Sequence, residues 1–140
     1  MQRGFTLIEV LVVVAIVAIL STVAYPSYSA FVQRGKIADG TSTLADSRVR
    51  LEQFFQDNRR YATVVGGNVC GVVPAATTYF TYACAATDTT FTVTATGVAA
   101  QGMSGFTFTI NQANLQQTTA FPGASGLPKN CWIQNKGDGC

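Results

Sequence analysis

Apolar residues run almost unbroken from Phe5 to Tyr25, and Val10 to Leu20 holds only Val, Leu, Ala and Ile. These 21 residues match the length a helix needs to cross a bilayer core. Farther along, the apolar positions thin to a stripe. Ile37, Leu44 and Leu51 recur every seven residues, and Phe54 and Phe55 follow three and four later, which places them on one helical face. The pattern predicts one helix from Phe5 to about Asp57, 53 residues or about 80 Å. Pro26 lacks the N–H for the helical ladder and should kink or loosen it, and Gly35 and Gly40 weaken it further. The stripe reads as core, whereas Arg34, Lys36, Asp39, Asp46, Arg48, Arg50 and Glu52 mix both signs and read as a solvated face. Half of such a rod has nothing to pack on within its own chain.

Between Asn58 and Pro74 the glycines Gly66, Gly67 and Gly71 mark a loop, and the period then changes to two. Thr78 to Cys84, Thr90 to Thr96 and Phe106 to Asn111 alternate apolar with polar, most clearly in Phe91-Thr-Val-Thr-Ala and Phe106-Thr-Phe-Thr-Ile. A shorter strand near Leu115 to Thr119 follows a turn at Asn111 to Asn114. Three or four antiparallel strands with one apolar face need a cover, and the helical stripe supplies it. The expected fold is therefore α+β: a long N-terminal helix packed on a three- or four-stranded antiparallel sheet.

Composition sharpens this. The 140 residues suit one ordinary domain, and at 48% hydrophobic the chain is not disordered. Only 11% of residues are charged, against roughly 25% in an average domain, and none lies between Val10 and Gln33. There is no histidine, which removes Ser/His/Asp and Cys/His nucleophiles and histidine metal sites. Beyond the helix proper only Asp57, Asp88 and Asp138 are acidic, so no general acid/base pair is visible and neither enzyme nor cofactor is expected. The net charge of +2 does not by itself call for nucleic acid.

The four cysteines, Cys70, Cys84, Cys131 and Cys140, include no CxxC pair and read as two disulfides formed outside the cytoplasm. Of the three connectivities, Cys70 with Cys84 and Cys131 with Cys140 is preferred because both loops are short and local. Closing the ten-residue terminal loop should stabilise by about 2–3 kcal/mol. Glu9 is harder to place. A carboxylate inside the apolar run costs on the order of 3 kcal/mol. A secretory signal peptide, with Arg3 as its basic end and Thr22-Val23-Ala24 as cleavage site, has no use for it. Arg3 on one side and Arg34 and Lys36 on the other leave the orientation undecided.

The run Gly4-Phe5-Thr6-Leu7-Ile8-Glu9, behind a short basic leader and ahead of an apolar helix, resembles the prepilin signature of type IV pilins. The similarity continues through Pro26 and its Tyr-Pro-Ser-Tyr stretch, Leu51 to Tyr61, and a cysteine-bounded terminal loop with Cys131-Trp132. The resemblance implies cleavage of residues 1–4 after Gly4 by a prepilin peptidase and N-methylation of Phe5. It also implies a retained membrane and assembly helix over 5–33 and a globular head over 34–140. In the family, Glu9 of an incoming subunit would meet the Phe5 ammonium of its neighbour, two charges complementary in an apolar medium. The implied partners are other pilin subunits, the inner membrane before assembly and the pilus assembly machinery, with the head outside the cytoplasm and finally in a surface filament.

A structural subunit of a type IV pilus is the primary expectation. Type II secretion pseudopilins share the signature but fit two disulfides less well. The head is also similar to competence minor pilins, which implies DNA contacts at Arg59, Arg60, Lys129, Trp132 and Lys136. Against that, Tyr61 to Cys140 sets Lys129 and Lys136 against Asp88 and Asp138, a net of zero and a poor basis for phosphate-driven binding.

Overall fold

The computed structural model describes residues 6–135, 137 and 139–140. It consists of helix α1 (Leu7–Asn58), strands β1 (Phe80–Ala86), β2 (Phe91–Gly97), β3 (Thr107–Asn111) and β4 (Gln116–Ala120), and a 3-10 turn at Ala99–Gln101. The chain divides into two compact units, the first ending at Arg34 and the second starting at Gly35.

In the first unit the helix starts on Thr6, whose hydroxyl oxygen accepts the Glu9 N–H at 3.3 Å, a side-chain cap three residues ahead of an acidic residue. Its apolar side chains have no cover: Leu7, Ile8, Leu11, Val14 and Leu20 are each more than 60% exposed. The hydroxyls along it turn inward to the helix. Ser21 donates to the Val17 carbonyl and Thr22 to that of Ile19, so neither presents an unpaired donor to an apolar surrounding. The helix continues through Pro26, and Ser29 donates to the Pro26 carbonyl.

In the second unit the four strands form one antiparallel sheet in the order β1-β2-β3-β4. The register sets Ala95 between Tyr82 and Phe108, and Val93 between Cys84 and Ile110. One face therefore carries Phe80, Phe91, Val93, Ala95, Phe108 and Ile110, all buried. The opposite face is threonine-rich, with Thr81, Thr96 and Thr107 in one cross-strand row and Thr94 beside Thr109 in the next. Ile37, Leu44 and Leu51 of the helix are fully buried in the core shared with these strands. Gly40 permits the close approach: a Cβ there would sit 2.6 Å from the Phe80 ring.

The seven-residue stripe is core as expected, but Phe54 and Phe55 are only half-buried. Phe55 packs at the margin of the core, stacked on Tyr61 with ring centroids 4.6 Å apart, and Tyr61 in turn meets Phe91 edge-on. The first strand starts two residues later than its alternation suggests. The Thr77 N–H donates to the Phe80 carbonyl and the Thr77 hydroxyl accepts the Phe80 N–H, so Thr78 and Tyr79 are spent in a turn.

Candidate functional site

Two surfaces remain after the core is subtracted: the apolar helix of the first unit, and the loops at the ends and edges of the sheet in the second. The helix, Leu7 onward, is long and apolar enough to cross a membrane. Among the described residues the Glu9 carboxylate makes no hydrogen bond or ion pair, because only its backbone N–H is engaged by the Thr6 cap. An acid on an uncovered apolar helix is costly to keep charged and unpaired once an apolar medium surrounds it. Gly4 and Phe5, the expected cleavage and methylation positions, lie outside the described residues, as does Lys136.

In the head, the loop after α1 is more ordered than its glycines suggest. Arg59, at a left-handed φ of 57°, terminates the helix. Ala62 then pairs with Cys70 and Val69 with Ala85, making residues 62–70 a narrow finger along the free edge of β1. The Cys70–Cys84 disulfide fastens this finger to the strand, with Cα atoms 5.8 Å apart. At its tip the Gly67 N–H donates to the Val64 carbonyl, and Gly66 holds a φ of 69°. That turn favours glycine at its third position. Tyr61 stands at the root, buried, its hydroxyl donating to Glu52 at 3.0 Å. Burial, then the Glu52 hydrogen bond and charge, hold its phenol above the ordinary tyrosine range, and the Arg48 charge opposes them.

At the far edge of the sheet the C-terminal segment pairs with β4 through Thr118 and Lys129, each N–H donating to the other's carbonyl at 2.9 and 3.0 Å. The Thr118 side chain is fully buried. Its hydroxyl donates to the Cys131 carbonyl at 2.6 Å and accepts the Ile133 N–H at 2.9 Å. Trp132 donates its indole N–H to the Thr109 carbonyl at 3.0 Å. Cys131 and Cys140 are bonded and close the terminal loop.

These positions decide what the expected DNA-contact residues can do. Arg59 and Arg60 lead into the finger at the β1 edge, whereas Lys129 pairs with Thr118 of β4 and the Trp132 indole reaches Thr109 of β3, so the two groups lie toward opposite edges of the sheet. Arg60 acts as a strut, reaching the Asn58 and Thr63 carbonyls at 3.4 Å each. Trp132 is half-buried with its one donor used. Arg59 is exposed and has no side-chain partner among the described residues. Elsewhere Lys36 is tied to the Gln101 carbonyl at 2.8 Å and lies over the Tyr79 ring, and Arg50 pairs with Asp46 at 2.7 Å. No metal-holding cluster occurs among the described residues. Asp88 carried no signal in the sequence beyond its charge, yet it accepts the Gly66 N–H with both carboxylate oxygens, at 3.1 and 3.2 Å.

Comparison with known proteins places these features. Residues 1–25 match the prokaryotic N-terminal methylation motif. Type IV major fimbrial proteins FimA of Dichelobacter nodosus are similar over a short stretch. One is 42% identical over 57 residues, 41% of this chain, and another, from strain VCS1703A, 37% over 59 residues. In both cases the chain spans 36% of the relative's length. The chain resembles the Neisseria meningitidis non-core minor pilin PilV, with a TM-score of 0.52 at 12% identity, over 68% of this chain and 94% of that one. That likeness is one of fold. Residues 26–109, more than half of the chain, match the model of the type IV minor pilin ComP, DNA uptake sequence receptor. With a methylation motif leading an uncovered apolar helix and a disulfide-stapled four-stranded head behind it, the chain belongs to the ComP family of type IV minor pilins.

Proposed function

We propose that this minor pilin enters a type IV pilus through its apolar helix and binds duplex DNA with its head. Prepilin peptidase would cut after Gly4 and leave Phe5 as the methylated terminus. The helix would then hold the subunit in the inner membrane until assembly. Pairing of Glu9 with a neighbour's Phe5 ammonium gives a purpose to a carboxylate that has no partner among the described residues. The helix of a filament subunit is covered by other copies, which accounts for apolar side chains left bare in the single chain.

The DNA reading rests on the family match over residues 26–109. The head's near-neutral charge makes nonspecific phosphate attraction weak, so recognition has to come from contacts that discriminate sequence. The full chain in detergent micelles should retard duplex DNA with sequence preference at physiological salt. Equal, feeble retention of every duplex would remove the receptor role and leave a filament subunit.

A further inference from the structure

The finger over residues 62–70 is an exposed apolar point that the fold takes care to stiffen. Val64 is 61% and Val65 78% exposed, two adjacent apolar side chains at one loop tip. Three sets of contacts fix them. The Thr63 N–H donates to the Val69 carbonyl at 2.9 Å, the Gly71 N–H to Tyr61 at 2.8 Å and the Ala86 N–H to Asn68 at 3.2 Å. The disulfide ties the base to β1. Asp88, in the β1–β2 turn, holds both ends: its backbone carbonyl accepts the Tyr61 N–H at 3.2 Å and its carboxylate accepts Gly66 at the tip. An exposed tip ordered before binding loses little entropy on contact. The exposed side chain of Arg59 stands at the finger's root, beside the Arg60 strut that grips Thr63.

We propose that this finger enters a groove of double-stranded DNA, with Val64 and Val65 against base edges and Arg59 on an adjacent phosphate, and that Asp88 is the positioning residue that keeps the tip in shape. The proposal rests on the DNA reading above. Two observations favour DNA as the occupant. The finger lies inside the stretch matched to the DNA uptake sequence receptor family. The one cation beside it with no internal partner among the described residues is enough to steer a phosphate but not to grip a duplex by charge. Apolar contact with base edges, thymine methyls above all, supplies discrimination without charge.

The test uses the full chain in detergent micelles and a pool of duplexes with a randomised core, sequenced before and after capture across a salt series. The unaltered chain should enrich a motif. Val64→Ser with Val65→Ser should lower that enrichment by about tenfold or more with an unchanged salt slope. The shape-preserving Val64→Thr with Val65→Thr should do likewise and guards against a folding effect. Arg59→Gln should lower capture of every sequence and flatten the salt slope. Asp88→Ala should lose enrichment while Asp88→Asn keeps it, since the amide oxygen still accepts the Gly66 N–H. If Asp88 merely repelled phosphate, both changes would tighten binding, and that result would overturn its positioning role. Undiminished enrichment by both valine variants would overturn the finger and leave the DNA reading standing. Failure of the unaltered chain to capture any duplex would refute the DNA reading and the finger together.

Discussion

Replacing Thr118 by valine tests how the C-terminal segment is held to the head. Valine keeps the shape of threonine and deletes only the hydroxyl. In this structure that hydroxyl serves two backbone groups at once, donating to the Cys131 carbonyl at 2.6 Å and accepting the Ile133 N–H at 2.9 Å, with Thr118 and Ile133 both fully buried. Each group left without a partner in the interior costs about 1–3 kcal/mol, and the extra methyl returns roughly 1 kcal/mol. The net expectation is a loss of about 1–5 kcal/mol, centred near 3. For a domain of this size that lowers the melting temperature by on the order of 10 °C or more. The effect should also be local. Amide exchange at Ile133 and Lys129 should accelerate roughly 30-fold or more while that of the β2 amides follows global stability alone. Thr119→Val is the control, since its exposed hydroxyl donates only to the Thr107 carbonyl at 3.3 Å and should matter by less than about 0.5 kcal/mol. Circular dichroism melts and exchange mass spectrometry of the full chain in micelles read both. A Thr118→Val melt within a degree of the unaltered chain, with Ile133 exchange unchanged, would refute the argument.

Four further outcomes are expected. Intact-mass analysis of membranes or pili should find a chain beginning at methylated Phe5, which removes Arg3 and lowers the formal charge from +2 to +1; a chain beginning at Tyr25 would mean an ordinary signal peptide. Glu9→Leu should leave a membrane-inserted protein that enters sheared filaments poorly, since an unpaired buried charge costs roughly 3–5 kcal/mol, and normal incorporation would sink the pairing with a neighbour. Gly40→Ala, which places a Cβ 2.6 Å from the Phe80 ring, should destabilise the head by about 1–2 kcal/mol despite alanine's better helix propensity, as read by chemical denaturation. Tyr61, whose folded phenol is held above its unfolded value, contributes stability that is complete below about pH 10 and declines as pH rises through the folded value. Tyr61→Phe should therefore flatten the alkaline end of a stability-versus-pH curve.

Legibility in the sequence followed the range of the interactions. The helix was readable because a continuous apolar run and a seven-residue stripe are local periodicities, and Ile37, Leu44 and Leu51 are buried as that stripe requires. The strands were readable from alternation, with ends displaced where a side chain such as Thr77 intervenes in the backbone pairing. The prepilin signature is local too, and it carried the family through six adjacent residues. The candidate surface in the head was different. Five residues were candidates for DNA contact, but their fates depend on which edge of the sheet they reach. Arg60 becomes a strut, Trp132 caps a β3 carbonyl, and Arg59 alone among the described ones is exposed without a side-chain partner. Asp88 and Gly66 stand 22 positions apart, and no local pattern links a carboxylate to a backbone N–H at that distance. Sequence by itself therefore determined the elements and the family, because periodicity and a contiguous motif are properties of neighbours along the chain. The stiffened finger, the buried Thr118 clasp and the separation of the basic residues were decided only by tertiary structure, since each depends on strand order and on which groups the packed core leaves for one another.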